Sequence, residues 1–352
     1  MGAFLMAAGM AAGMGLILTP LCRLLAFRIG AVDSPEARKI HQSPMPRLGG
    51  LAIYLGFSPA FWFLAKGSPS LWGLWLGGTL IFLVGLVDDI KNLHPLAKLM
   101  GQVLAALVAV AWGVKVEFLT NPFDGLFVLG NLAIPVTLFW IVGITNALNL
   151  IDGLDGLAAG TAAIAGITIG IIAALRGEVL VAGLALSLAA SSLGFLPYNF
   201  HPARIFMGDC GSMFLGYNLA VLAILGLTKG ATVVSLFIPI VVLGLPIMDT
   251  LMAIFRRFLN KRPIFSPDRG HIHHKLLDQG LDQRQAVGII YLVNACLGGS
   301  AIILSRLTTA QGTWLLVGLG LLGLFACERL GLLGKDLLRR VKARCRSTLH
   351  LF

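Results

Sequence analysis

Long stretches of this chain contain no aspartate, glutamate, lysine or arginine. There are eleven of them, at residues 2–22, 48–65, 67–87, 99–114, 125–151, 156–175, 179–203, 210–228, 230–248, 285–305 and 307–327. Each is as long, or nearly as long, as the roughly 17 to 25 helical residues that cross a bilayer. Strands of transmembrane barrels alternate polar and apolar residues, and these stretches do not. The pattern predicts an all-α polytopic membrane protein, with about eleven transmembrane helices in one domain, residues 1–352.

The basic residues predict how this bundle is oriented. An odd number of spans puts the two termini on opposite sides of the membrane. If the N-terminus is outside, 22 of the 27 lysines and arginines lie on the inner side and 5 on the outer side. Positive residues concentrate in cytoplasmic segments. We therefore expect an inner-membrane protein with its N-terminus outside, its C-terminus in the cytoplasm and its active-site loops (28–47, 88–98, 146–156, 197–212 and 256–284) facing the cytoplasm.

Composition narrows the class of protein further. The chain is 57% hydrophobic and 12% charged, as a lipid-embedded protein would be. Its net charge of +11 suits anionic lipid headgroups and anionic substrates, and no nucleic-acid partner is expected. The first stretch has no basic residue before its apolar core, which favours a full span over a cleaved signal. Five cysteines without paired spacing predict neither a disulfide framework nor a zinc site. Turn residues within 115–130 predict a small outer hairpin.

Two adjacent carboxylates, Asp88 and Asp89, end the third predicted span. Like charges this close repel, so one of them is expected to bind a proton more tightly than usual. The alternative is a solvated helix terminus. Charges that touch a membrane are costly and tend to be functional. With Asp152, Asp155 and Asp209, the pair brings five carboxylates to the inner side.

The segment 146–160 carries the strongest chemical signal. Asn146, Asn149, Asp152 and Asp155 recur every three residues, which places their side chains along one stripe of a tight helix or turn. Oxygen ligands of this kind suit Mg²⁺. Gly153 would let a phosphate or nucleoside approach the backbone. The alternative is a polar stripe that joins helices, but four polar groups in register with glycines favour a functional site.

A second motif joins the seventh and eighth predicted spans. Asp209 lies between Gly208 and Cys210-Gly211 at the start of a helix. Its carboxylate can bind a metal ion while the N–H groups of the helix start face phosphate oxygens. Phe206 can stack on a flat base, although an interfacial phenylalanine is more often plain packing.

Two basic loops complete the inner side. They contain Lys39, Arg47, Arg269, His271, His273 and His274. These histidines lack the cysteine or H-E-x-x-H helix of a zinc site, so we expect phosphate or sugar binding. A basic loop that anchors to anionic lipid is the alternative. Nearby, Asp249 precedes Arg256 by seven residues, about two helical turns, which predicts a structural ion pair.

Taken together, these motifs resemble the polyprenyl-phosphate N-acetylhexosamine-1-phosphate transferase family. H-x-x-P-x-P-R-x-G-G (41–50), the aspartate pair, N-A-x-N-x-x-D-G-x-D-G-L (146–157), F-M-G-D-x-G-S (206–212) and H-x-H-H (271–274) occur in the family's order. The resemblance covers almost the whole chain. It implies an eleven-span helical fold with a cytoplasmic site, a UDP-sugar donor, a polyprenyl phosphate acceptor and Mg²⁺, with Mn²⁺ as an alternative ion.

The resemblance also implies roles for the residues. Asp88 is the expected general base with Asp89 and Asp152 beside it, and Asp209 and Asn149 are the expected neighbours of Mg²⁺. We expect Phe206, Asp155, Asn146 and Gly153 near the nucleotide. Near the phosphates and the sugar we expect Lys98, Arg47, Lys39, Arg204, Arg269, His271, His273 and His274.

The reaction implied is attack of a lipid phosphate oxygen on the sugar-side phosphorus of the donor, with UMP leaving. Pro46-Arg47 and the spaced histidines resemble the bacterial undecaprenyl-phosphate GlcNAc-1-phosphate branch. UDP-MurNAc-pentapeptide as donor is one alternative. A secondary transporter is another, although transporters place their charges near the membrane midplane. The sequence leaves open whether a phospho-aspartyl intermediate forms and whether the chain assembles as a homo-oligomer.

Overall fold

The structure, a computed structural model, describes residues 2–33, 44–65, 69–120, 126–227, 237–261, 263 and 270–329. Within these residues the chain forms thirteen α-helices. They are α1 (Gly2–Ile29), α2 (Gly49–Leu64), α3 (Pro69–Lys91), α4 (Pro95–Ala111), α5 (Ala133–Ile151), α6 (Leu157–Leu175), α7 (Val179–Asn199), α8 (Gly208–Leu227), α9 (Phe237–Val242), α10 (Gly244–Leu259), α11 (Ile272–Asp278), α12 (Gln283–Leu304) and α13 (Thr309–Arg329). Most of the described chain is helical, as its hydrophobic pattern predicts.

All of the predicted spans except the ninth each overlap one α-helix. Among the described residues, eight helices are long and apolar enough to cross a membrane. The helices α2 and α4 are apolar but shorter, at 16 and 17 residues. An all-α polytopic membrane protein is thereby confirmed, whereas the count of eleven spans stays a prediction.

The ninth predicted span, residues 230–248, is not one continuous helix where it is described. The helix α9 ends at Val242 and α10 begins at Gly244. Between them, Leu243 has φ −102° and ψ 19°, outside the α-helical region. Pro246 has no N–H to donate to the carbonyl four residues earlier, so a break one turn before it costs little.

The helix α8 lies at the centre of the bundle. Every residue from Cys210 to Leu227 is buried, and α2, α3, α5, α6 and α7 pack around them. The close approach of the neighbouring helices to α8 depends on small residues. A Cβ on Gly85 of α3 would lie 2.5 Å from the Cα of Cys210, and one on Gly50 of α2 would overlap the backbone of Gly211. Small residues of this kind let helices pack closely within a membrane.

The outward surface of the bundle is apolar. Ile17 is 69% exposed, Phe139 80% and Trp314 77%. Exposed side chains of this size would be unfavourable in water, and in a polytopic membrane protein they face lipid.

Two short antiparallel strand pairs flank the helices. The strands β1 (Val32–Asp33) and β2 (Met45–Pro46) pair Val32 with Pro46. The strands β3 (Phe118–Thr120) and β4 (Leu126–Val128) pair on either side of residues 121–125, which lie outside the described residues. The second pair confirms the hairpin predicted between 115 and 130.

Candidate active site

The site is built around the first turn of α8, which begins inside the protein. The Asp89 carboxylate, at the end of α3, accepts hydrogen bonds from Asp209 N at 2.9 Å and Cys210 N at 3.0 Å. A carboxylate is a favourable acceptor for the unpaired N–H groups of a helix start. Gly208, at φ +75°, leaves room for this contact, because a Cβ there would lie 2.6 Å from Asp89 Oδ2. Asp89 therefore ties α3 to α8 and fixes Asp209.

Lys98 links the two other carboxylates of this region. It lies in the first turn of α4, where its ammonium group contacts Asp209 directly and lies 3.4 Å from Asp88 Oδ2. The other oxygen of Asp88 accepts a hydrogen bond from Leu93 N at 2.8 Å. Asp88 and Asp209, which were predicted from separate motifs, therefore meet at Lys98, whose positive charge offsets both carboxylates.

Asn149 joins the same group from α5. Its Nδ2 donates to Asp209 Oδ1 at 3.0 Å and to Ser212 Oγ at 2.8 Å. Both amide hydrogens are thus used, which leaves the amide oxygen as an acceptor. The two residues expected beside Mg²⁺ are adjacent, as the sequence predicts.

The possible metal ligands near Asp209 fit magnesium. Its atoms are carboxylate and amide oxygens, and two of the carboxylates already attract a cation, the ammonium of Lys98. No group of three or more His, Cys, Asp or Glu that could hold a metal ion occurs among the described residues. Mg²⁺ commonly binds through only one or two carboxylates, with water and substrate phosphates completing its shell. This arrangement suits an ion that arrives with a phosphate ligand.

Asp152 follows the last residue of α5, and its carboxylate makes no hydrogen bond to any described residue. Burial, and then the negative charges of Asp89 and Asp155, raise the pKa of Asp152 to about 7. A partly buried carboxylate without a partner beside two other carboxylates is typical of a functional site. Its contacts leave it open to a ligand.

Asn146 lies one turn earlier, where it pairs with a residue that the sequence motifs did not indicate. Asn146 Nδ2 donates to Gln102 Oε1 at 2.6 Å, and Gln102 Nε2 donates back to Asn146 Oδ1 at 3.2 Å. Gln102 is buried and lies four residues after Lys98 on α4. The sequence signal that could have indicated Gln102 is a single amide side chain inside an otherwise apolar stretch. The pair joins α4 to α5, which favours a positioning role for Asn146.

Asp155 organises the loop between α7 and α8. Its Oδ2 lies 2.8 Å from His201 Nδ1 and accepts a hydrogen bond from Ala203 N at 3.0 Å. The buried Asn199 accepts from Gly156 N at 3.1 Å and donates to Ile205 O at 3.0 Å. These bonds hold the D-G-x-D-G segment against the loop that carries Phe206.

Phe206 is half-buried, and its backbone N–H donates to Pro46 O at 2.8 Å. From the other side, Gly49 N donates to Phe206 O at 3.0 Å, and Gly50 N donates to Met207 O at 2.8 Å. The P-R-x-G-G and F-M-G-D motifs therefore form one backbone-paired unit at the entrance to α8.

The predicted basic residues have different surroundings. Arg47 Nε donates to Asp89 O at 3.0 Å, and its other end donates to Asn92 Oδ1 at 2.8 Å, so Arg47 caps α3. Arg204 is exposed in the loop before α8. Lys39 and Arg269 lie outside the described residues. Of this predicted set, Lys98 makes the contacts with Asp88 and Asp209.

The histidine loop reaches the same region. His273 is 2% exposed and packs against Gly153, where a Cβ would lie 2.5 Å from His273 Nε2. Burial, and then the neighbouring His274, lower the pKa of His273 to about 3, so its ring is neutral at pH 7. His273 therefore carries no positive charge that would offset the neighbouring carboxylates.

Asp249 has a different partner from the predicted one. Its described hydrogen bonds go to His271 Nδ1, at 2.7 Å, and Ile272 N, at 2.8 Å. Its predicted partner Arg256 lies beside Gly270. The seven-residue spacing identified Asp249 and Arg256 as two residues near one face of α10. It could not show that the loop carrying His271 returns to α10 and bonds to Asp249.

Comparisons with known proteins identify relatives of this chain. The family described as glycosyl transferase family 4 matches residues 71–227, which include α3 to α8. A probable undecaprenyl-phosphate N-acetylglucosaminyl 1-phosphate transferase of Bacillus subtilis is 48% identical, over 83% of this chain and 82% of that protein. A decaprenyl-phosphate N-acetylglucosaminephosphotransferase of Mycobacterium tuberculosis is 40% identical, over 77% and 74%. An Escherichia coli undecaprenyl-phosphate alpha-N-acetylglucosaminyl 1-phosphate transferase is 29% identical, over 92% and 90%.

We expect Asp89→Asn to destabilise the fold more than Asp88→Asn does. An asparagine at 89 turns one amide N–H group towards a backbone N–H, and leaving a buried donor unpaired costs about 1–3 kcal/mol. Asp88 loses a partly exposed ion pair, worth about 0–1 kcal/mol. Thermal unfolding of both variants in detergent checks this. Equal melting temperatures for the two would contradict the capping role of Asp89.

The raised pKa of Asp152 predicts a pH dependence of stability. Its pKa is higher in the folded chain than in the unfolded chain, so the folded state holds the extra proton between about pH 4 and pH 7. This contribution is therefore present at low pH and is lost as the pH rises through about 7. In metal-free buffer, Asp152→Asn should lose less stability than the parent protein between pH 5 and pH 8. Parallel melting curves against pH would sink the assignment.

Proposed function

Because this chain belongs to the polyprenyl-phosphate N-acetylglucosamine-1-phosphate transferases of glycosyl transferase family 4, we propose that it acts on UDP-GlcNAc. It transfers N-acetylglucosamine 1-phosphate to undecaprenyl phosphate and releases UMP. This is the first membrane step in assembling a cell-envelope glycan. The observation that carries the proposal is the meeting of Asp88 and Asp209 at Lys98, with Asn149 beside Asp209, inside the segment that the family matches.

We place this site on the cytoplasmic face of the cell's inner membrane, in a bundle of eleven crossings with the N-terminus outside. The 22-to-5 division of lysine and arginine supports this orientation. The helix ends support it too. The C-terminal ends of α3 and α5 meet the N-terminal ends of α4 and α8, as helices that cross alternately would require.

Asp209 and Asn149 are the residues proposed to hold Mg²⁺, with Mn²⁺ as a substitute. The bound ion would neutralise charge on the donor pyrophosphate and on the leaving UMP. Asp89 holds Asp209 in place through the backbone of α8, and Ser212 accepts a hydrogen bond from Asn149. These neighbouring groups hold the side chains of Asp209 and Asn149 in position before any substrate binds.

The chemistry proposed for the remaining residues is positioning and charge neutralisation. An acceptor phosphate oxygen forms a bond to the sugar-side phosphorus, and the bond from that phosphorus to the UMP oxygen breaks. Asp88 takes a proton from the acceptor phosphate when that phosphate arrives protonated. Lys98, between Asp88 and Asp209, lowers the repulsion between the two anionic substrates.

The nucleoside is proposed to bind between the D-G-x-D-G segment and the loop before α8. Phe206 offers a ring on which uracil can stack, and Gly153, with His273 packed against it, is proposed to lie at the phosphate end of this pocket. Asp155 holds the two segments together through His201 and Ala203. This geometry supports the predicted pocket. Within it, Asp155 and Asn146 make contacts that hold neighbouring segments in position.

Purified protein incubated with undecaprenyl phosphate and a panel of UDP-sugars tests the proposal. We expect UMP release with UDP-GlcNAc, dependent on Mg²⁺ and abolished by chelation, and little release with UDP-MurNAc-pentapeptide. Asp88→Asn and Asp209→Asn should each remove most of this activity while keeping the melting temperature near that of the parent.

Several outcomes would count against the proposal. UMP release from no N-acetylhexosamine donor would overturn the assigned reaction. Accumulation of substrate inside proteoliposomes without UMP release would favour a transporter. Near-normal turnover by either variant would remove the role given to that aspartate.

A further inference from the structure

A buried carboxylate outside the aspartate cluster controls the histidine loop. Asp249, in α10, is 2% exposed. Its Oδ2 lies 2.7 Å from His271 Nδ1 and its Oδ1 accepts a hydrogen bond from Ile272 N at 2.8 Å. Both oxygens of one side chain are thus committed to two consecutive residues of a different segment.

These two bonds fix the start of α11. His271 is the N-cap residue of this short helix, and its own side chain makes no capping bond. Asp249 supplies the missing acceptor from α10 through Ile272 N. Since an ionised carboxylate only accepts, the Nδ1 of His271 is the donor in this contact.

The fixed start of α11 determines where His273 lies. The rings of His271 and His273 stack with their centroids 5.7 Å apart and their planes 6° apart. His273 in turn occupies the space that a Cβ at Gly153 would need. A continuous line of contacts therefore runs from Asp249 to the D-G-x-D-G segment of the site.

His273 also has an unused polar atom. Its Nδ1 is buried and has no hydrogen-bond partner in the described part of the chain. A buried ring nitrogen without a partner is costly, so its position must be imposed by surrounding contacts. The stack on His271 and the contact at Gly153 are the contacts that hold it.

We propose that Asp249 is a positioning residue for donor binding, one that sets the histidine loop against Gly153 so that the loop meets the donor's phosphates. This inference rests on the proposed function. It assigns to Asp249 no contact with the substrate. Asp249 acts through His271, and it affects binding of the donor's phosphates more than binding of the donor's uridine.

Equilibrium binding to the full-length protein in nanodiscs tests this, with UDP and uridine each displacing labelled UDP-GlcNAc. Asp249→Asn should weaken UDP binding by about tenfold or more, by analogy with the loss seen when the outer partner of a metal-binding histidine is removed. Uridine binding should change little. The neighbouring Thr250→Val is the matched control, because the hydroxyl of Thr250 has no partner to lose within the described residues. It should bind both ligands as the parent does.

A double-mutant cycle separates positioning from general destabilisation. His271→Ala should weaken UDP binding as Asp249→Asn does, and the double variant should lose little more, because both changes break one line of contacts. Unchanged UDP binding by Asp249→Asn, equal losses for UDP and uridine, or additive losses in the double variant would overturn the inference. If the parent protein binds no UDP, the proposed function fails and this inference fails with it. If the parent binds UDP normally, only the role of Asp249 is at stake.

Discussion

The whole site depends on how the first turn of α8 is satisfied. This helix is buried from Cys210 to Leu227, so the N–H groups at its start have little water to bond. Asp89 accepts from two of them, and Gly208 admits the carboxylate by having no side chain. One buried contact thereby fixes the end of α3, the start of α8 and the position of Asp209. The other site residues are arranged around that junction.

Several carboxylates lie close together in the site and repel one another, and few positively charged side chains offset this repulsion. Lys98 contacts Asp209 and lies near Asp88, whereas Arg47 is engaged with the end of α3 and His273 is neutral. The carboxylate of Asp152 has no hydrogen-bond partner among the described residues, and burial raises its pKa to about 7. A site with this balance favours an added cation that arrives with anionic substrates.

The sequence predicted much of this because the bilayer imposes long apolar helices, and five aspartates fell on one side of them. Asp88, Asn149 and Asp209 were correctly expected to lie together. The break between α9 and α10 was missed, since Pro239 and Pro246 do not interrupt a run defined by the absence of charge. The partners of Asn146 and Asp249 were also missed. Both are contacts between helices or loops far apart in sequence, which depend on packing rather than on local spacing.

The central claim is that a phosphate moves with the sugar. Donor UDP-GlcNAc labelled with ³²P in its β-phosphate tests this most directly, when it is incubated with the purified protein, Mg²⁺ and undecaprenyl phosphate. We expect the label to move into the lipid fraction in step with the release of unlabelled UMP. Retention of the label in UDP, with only the sugar reaching the lipid, would contradict it.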